Sequence, residues 1–231
     1  MRNKKVLAIN ISCKDCKSRF ILTFTESTKM RAFLEEFRKH IGHNVKIEGN
    51  KFTCGTIDRP MFIWMESEYY IPSIPLTGIE IGVNDGENAK SILESINIRK
   101  LYLIDPYSPY TEDGKLMDYT DIEKVMKKTI SPYHKFTKFI KDTSENAAIK
   151  IPDNSVDFIY IDGNHSYEYV KKDIELYYPK LKSNGIMGGH DFTPETYGVA
   201  KAVIEFVEKN NITSLMAKKH SNQRDWWFIK P

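Results

Sequence analysis

Four side chains able to bind a metal or move a proton stand at two points late in the chain. Asp162 closes the apolar run Val156-Asp-Phe-Ile-Tyr-Ile161, and His165 follows three residues later. His190-Asp191 closes a second run, Ile186-Met187 with two glycines. An imidazole titrates near neutral pH and can take a proton from a hydroxyl. Carboxylates beside an imidazole can also hold a divalent ion, which acidifies a bound hydroxyl. Asp162, His190 and Asp191 are the metal candidates. Imidazole is a poor ligand for Mg²⁺, so the two acids are the preferred ligands. Asp162, His165 and His190 are the catalytic candidates, and the two histidines compete for the role of base. The plainer alternative is that each histidine only ties a loop to the backbone.

A second constellation lies earlier, in Glu80-Ile-Gly82-Val-Asn84-Asp-Gly86. Glycines let the chain turn sharply and let a ligand approach the backbone. The middle glycine of a dinucleotide fingerprint is replaced by Asn84, which weakens a diphosphate reading. Asp105 ends the next apolar run, where a carboxylate can accept both hydroxyls of a ribose. The pair suits a ligand with a ribose and no phosphate. The alternative for Asp105 is a capped turn.

These residues need elements that deliver them to one edge. From Leu76 onward the pattern alternates strand and helix. Strands are expected at the start of Gly78–Gly86, which ends as a glycine turn, and at Arg99–Ile104, Phe136–Ile140, Val156–Ile161, Ile186–Met187, Ile212–Ala217 and Trp226–Ile229. Helices are expected at Ala89–Ile96, 119–130, after Asp142, after His165 and over Gly198–Lys209. The helix after His165 is read with Tyr169, Val170, Ile174 and Tyr177 on one side. A polar loop of Tyr, Ser, Pro, Asp and Gly precedes the helix at 119–130. Such alternation means an α/β fold, a largely parallel seven-stranded sheet covered on both faces, with ligands at the carboxyl ends of its strands.

Residues 1–75 read as a small N-terminal α+β module and 76–231 as the main domain. The first part holds two strands, VLAINIS and RFILTFT, around Cys13-Lys-Asp-Cys16, a helix over 28–40, another short strand in 44–54 and an aromatic connector over 60–76. Cys13, Cys16 and Cys54 resemble part of a zinc ribbon, but Lys51 stands where a fourth cysteine belongs. His40 and His43 lie at unusual spacing, so the reading is against zinc. Three cysteines in all do not make a disulfide framework. Residues 1–75 hold 13 Lys and Arg against 8 Asp and Glu, and the remainder 21 against 23. That excess is too scattered to imply nucleic acid by itself. No apolar run reaches membrane-spanning length. The expected setting is cytoplasmic, with a small molecule as partner and room for a homo-oligomer.

The ordered motifs Glu80-x-Gly82-x-x-x-Gly86, Leu103-Ile-Asp105-Pro-Tyr107, Ile161-Asp-Gly-Asn-His165 and Gly185-Ile-x-Gly-Gly-His190-Asp191 resemble those of class I S-adenosylmethionine-dependent methyltransferases. The combination IDGxHxYE with GGHDF looks most like small-molecule and sugar O-methyltransferases. The resemblance implies a Rossmann-like methyltransferase fold with S-adenosylmethionine as cofactor. Glu80, Gly82, Asn84 and Gly86 would hold its amino-acid part, and Asp105 its ribose. Thr143, Ser144 or Glu145 would flank the adenine, Ser144 having a helix cap as its plainer role. Asp162 would stand between cofactor and acceptor. Metal-dependent catechol and caffeoyl-CoA O-methyltransferases are similar in layout, so Mg²⁺ or another divalent ion at Asp162, His190 and Asp191 is an implied cofactor. A hydroxyl acceptor fits better than nitrogen, since the Asp-His constellation can deprotonate or coordinate an alcohol and Asp162-Gly-Asn-His stands where an amide-holding (D/N)-P-P-(Y/F/W) motif would. The rival readings are an NAD-dependent oxidoreductase, a nucleic-acid-binding protein led by the N-terminal hairpin, and a related fold without catalysis.

Overall fold

The computed structural model describes residues 59–69, 74–112, 114–193, 196–220 and 223–231, together with the backbone of four earlier strands. The chain divides into two compact units, Met1–Ile57 and Asp58–Pro231. The first contains two antiparallel hairpins. β1 (Leu7–Ser12) pairs with β2 (Arg19–Phe24), and β3 (His43–Glu48) pairs with β4 (Lys51–Thr56). The stretch read as one strand over 44–54 is therefore a hairpin. Cys13, Cys16, the side chain of Cys54 and the helix read at 28–40 lie outside the described residues.

The second unit starts at Asp58, ahead of the 75/76 boundary read from the sequence. The difference is α1 (Pro60–Trp64), which leads into a π-helical turn over Met65–Tyr69. Pro60 suits the first helical position because it has no N–H to leave unsatisfied there. Met61, Phe62 and Met65 are fully buried. Phe62 packs edge-on to Phe158 at 5.6 Å and tilted on Tyr160 at 5.0 Å. Met61, Phe62 and Met65, within the segment read as a connector, are thus part of the core.

Seven strands form the central sheet: β5 (Leu76–Ile81), β6 (Ile98–Ile104), β9 (Thr137–Ile140), β10 (Val156–Ile161), β11 (Leu181–Gly189), β12 (Met216–His220) and β13 (Gln223–Ile229). Their order is β12-β13-β11-β10-β5-β6-β9. All neighbours are parallel except the pairs that β13 makes with β11 and β12. The central strands carry apolar residues on both faces, as burial on both sides demands. Phe158, Ile159, Tyr160, Ile79, Ile186 and Met187 are all fully buried. The chain winds outward from β5 to β9, then returns beside β5 as β10. In open α/β sheets, ligands bind at such a reversal, here at the carboxyl ends of β5 and β10.

Helices α2 (Glu87–Ser95), α3 (Ile122–Ile130), α4 (Ser144–Ala148), α5 (Tyr167–Tyr177) and α6 (Tyr197–Lys209) connect the strands. Val170, Ile174 and Tyr177 of α5 are buried as read, but Tyr169 is 50% exposed. Position 169 falls outside the stripe that positions 170, 174 and 177 define. The strand read at 212–217 begins only at Met216. Ile212 instead fills the core from a loop, and the edge strand β12 is polar, with Lys218, Lys219 and His220 exposed. Charged residues on an edge strand oppose pairing with another chain. The loop before α3 contains a small hairpin, β7 (Tyr110–Glu112) and β8 (Lys115–Met117).

Candidate active site

The glycine turn comes directly off β5. Gly82 has φ of +81° and Gly86 of +82°. A Cβ at Gly82 would stand 2.1 Å from the carbonyl oxygen of Asp162, so only glycine fits between the two strand ends. Asn84 also has positive φ, 50°, a conformation asparagine tolerates better than most residues. Asp105, after β6, accepts from the main-chain N–H of Val83 at 2.9 Å and Asn84 at 3.2 Å, and from Tyr107 at 2.9 Å. It caps the turn as the plainer reading has it, and a carboxylate with further lone pairs can still accept from a ligand.

Glu80 lies beneath this turn and is 1% exposed. Its Oε1 accepts from Asn88 Nδ2 at 2.8 Å, while Oε2 has no partner. Burial is the main cause that pushes its pKa up to about 8, against the Asn88 hydrogen bond. Glu80, Gly82, Asn84, Gly86 and Asp105 therefore form one cluster. Thr143 and Ser144 stand after β9. Thr143, not Ser144, is the cap of α4, and its hydroxyl accepts from Asn146 N at 3.3 Å. The Ser144 carbonyl accepts from the Tyr177 hydroxyl at 2.7 Å.

The second cluster gathers at the ends of β10 and β11. Asp162 N donates to the Ile81 carbonyl at 2.8 Å, and His190 N to that of Ile161 at 3.0 Å, so the sheet register extends into the site. One ligand atom each from Asp162, His165 and His190 fits within 4.8 Å of the others. Asp162 Oδ1 lies 3.5 Å from His165 Nε2 and 3.6 Å from His190 Nδ1. Asp191, with φ of 57°, turns back so that one oxygen is 3.0 Å from His190 Nδ1 and the other 3.4 Å from His165 Nε2. The convergent set is thus Asp162, His165 and His190, with Asp191 set against both imidazoles.

Burial works against charge on Asp162, but His165, Arg59 and His190 outweigh it and hold the pKa below the ordinary carboxylate value. Burial likewise opposes the His165 imidazolium, yet Asp162, Asp191 and Glu112 raise its pKa. Two of these partners carried no sequence signal. Glu112, on β7, accepts from the His165 backbone N–H and lies 3.2 Å from Nδ1. Arg59 donates to Asp162 Oδ2 at 2.7 Å. Asp225, which the sequence reading also passed over, is fully buried in β13 and accepts from Tyr160 Oη at 2.9 Å and Met61 N at 3.0 Å. A lone carboxylate in Gln223-Arg-Asp-Trp-Trp-Phe-Ile was readable as a buried acid that needs partners.

A family model described as a methyltransferase domain matches residues 79–192, from within β5 to just past Asp191. Residues 79–192 form a methyltransferase domain. Its fold is that of the class I, S-adenosylmethionine-dependent methyltransferases. The solved O-methyltransferase NovP is similar in structure, with a TM-score of 0.53 at 15% identity over 68% of this chain and 73% of that one. Two curated relatives match in sequence. An uncharacterised protein of Acanthamoeba polyphaga mimivirus is 25% identical over 149 residues, 63% of each chain. An uncharacterised protein of Sinorhizobium fredii is 35% identical over 66 residues, 29% of this chain. The chain spans 63% and 7% of the lengths of these two relatives. Among the described residues, no helix is long and apolar enough to cross a membrane. The methyltransferase domain takes in both clusters, but not Arg59 or Asp225.

Proposed function

We propose that the protein transfers the methyl group of S-adenosylmethionine to a hydroxyl of a small polar molecule, with sugars the first class to test. The observation that carries this reading is the convergence of Asp162, His165 and His190 one strand away from the Gly82–Gly86 turn. When bound, the cofactor supplies a methyl group on a cationic sulfur that departs as a neutral thioether. The residues present fit it. The unpartnered Oε2 of Glu80 suits an ammonium group, and the glycine turn admits close backbone approach. Asp105 keeps lone pairs for a ribose diol.

On the acceptor side, a hydroxyl must lose its proton as its oxygen attacks the methyl carbon. His165 can receive that proton at Nε2. Glu112 beside Nδ1 favours the tautomer with hydrogen there and the lone pair at Nε2. Asp162 and Asp191 then stabilise the imidazolium. A divalent ion held by Asp162, His165 and His190 is the second reading. The buried Nε2 atom of His190 lacks a hydrogen-bond partner, which favours it. Two imidazoles with one carboxylate suit Mn²⁺, Fe²⁺ or Zn²⁺ better than Mg²⁺. Such an ion would acidify the acceptor hydroxyl.

Calorimetry with S-adenosylmethionine, S-adenosylhomocysteine and NAD tests the cofactor. Binding of the two sulfur ligands without NAD is expected, and the reverse would overturn the reading. Release of S-adenosylhomocysteine with a pool of monosaccharides, with and without chelator, then tests the acceptor and the ion.

A further inference from the structure

Arg59 precedes the matched family region, yet its side chain ends in the site. Its backbone is extended, with φ of −87° and ψ of 121°, at the start of α1. The guanidinium is held on three sides. Nη2 donates to Asp162 Oδ2 at 2.7 Å, Nη1 donates to Gln223 Oε1 at 2.9 Å, and Cζ lies 5.7 Å from the centre of the Tyr160 ring. The Arg59 side chain is 17% exposed. A planar fork of donors fixes the orientation of a carboxylate in a way that a lysine ammonium does not.

The backbone that carries Arg59 is itself anchored. Asp225 joins Met61 N to the Tyr160 hydroxyl, and Tyr160 sits in β10 two residues before Asp162. Phe62 is wedged against Phe158 and Tyr160 of the same strand. Gly188 leaves room for Met61, since a Cβ there would stand 2.4 Å from the Met61 sulfur. Residues of β10, β11 and β13 thus lock one arginine against one strand end.

We infer that Arg59 is a positioning residue for Asp162: it occupies Oδ2 and so presents Oδ1 to His165 and His190. The inference rests on the reading of Asp162 as part of the acceptor site. It holds for either route there, because a proton relay and an ion would both use the same fixed oxygen. It also places the start of the working unit at Asp58 rather than at the matched residue 79.

Crystal structures of the 231-residue wild type, Arg59→Ala, and Arg59→Ala soaked in guanidinium chloride read the effect directly. In Arg59→Ala the Asp162 carboxylate is expected to rotate away from its wild-type orientation, and a bound guanidinium ion to restore it. An Asp162 that keeps its orientation in the variant overturns the inference. So does one that rotates and is not restored by guanidinium bound in the vacated space. Should Arg59→Ala fail to fold, Arg59→Lys carries the test, since it keeps the charge and loses the fork. A carboxylate unmoved in Arg59→Lys overturns the fork's role.

Calorimetry with S-adenosylhomocysteine separates this from the function itself. A wild type that does not bind it removes the methyl-transfer reading and leaves the crystallographic test of Arg59 intact. With turnover on the monosaccharide pool, Arg59→Ala should lower kcat by about tenfold or more, with KM for S-adenosylmethionine unchanged. A raised cofactor KM with kcat intact would overturn the inference.

Discussion

Glu80 is a carboxylic acid that burial holds near pKa 8. At pH 7 it is therefore mostly protonated in the free protein. An ammonium group brought against its unpartnered oxygen would favour the ionised form and lower that pKa. Cofactor binding at pH 7 should then release up to about one proton. Calorimetry of S-adenosylhomocysteine in buffers of different ionisation enthalpy measures this, and Glu80→Gln should abolish the release. His165 makes a different claim. If its Nε2 takes the acceptor proton, His165→Gln should cost about a hundredfold or more in kcat while leaving S-adenosylhomocysteine affinity unchanged. Equal turnover in His165→Gln and wild type would pass the role of base to His190 or to a metal-bound route.

Among the elements, α5 carries a fault of its own. Asp173 is buried on its inner face beside Val170, Ile174 and Tyr177. Burial raises its pKa to about 7, against a hydrogen bond with Ser144. The folded state thus keeps a proton that the unfolded chain loses near pH 4. Stability contributed here falls as pH rises from about 4 to about 7 and stays low above that. Asp173→Asn should remove the fall and stabilise the protein at pH 8 by up to about 4 kcal/mol. Melting curves at pH 5 and pH 8 check the sign, since the gap between variant and wild type should widen at the higher pH. A gap that narrows would mean that Asp173 is ionised and paired in solution. The β7–β8 hairpin shows how little an element needs to be regular in order to matter. Its three-residue strands bring Glu112 to His165 across 53 positions of sequence.

At the scale of the whole molecule, the unit that folds around the site is larger than the matched domain. Met61, Phe62 and Met65 are fully buried in it. Each such side chain contributes about 1.5–3 kcal/mol. A chain beginning at Leu76 should lose that packing together with Arg59, and melt roughly 10 °C or more below one beginning at Asp58. Thermal unfolding of the two fragments measures this. Equal melting temperatures would return the boundary to 75/76.

The features legible in the sequence were local and periodic. Apolar runs of strand length, glycines at a turn and acids at strand ends are short-range signals, so β5, β10, the Gly82–Gly86 turn and Asp162 were legible at nearly their observed bounds. The alternation of strands and helices implied the sheet and its ligand-binding edge, because parallel strands need crossovers. Tertiary structure alone decided which groups meet there. Arg59 is 103 residues from Asp162 and 164 from Gln223, and no local pattern encodes a contact across such distances. Glu112 sat in a polar loop whose residues fit solvent as well as a site. Those contacts exist because the core seats α1 against β10 and the sheet order brings β10, β11 and β13 side by side. That packing turns the strand-end acids and imidazoles into a cluster with a defined geometry.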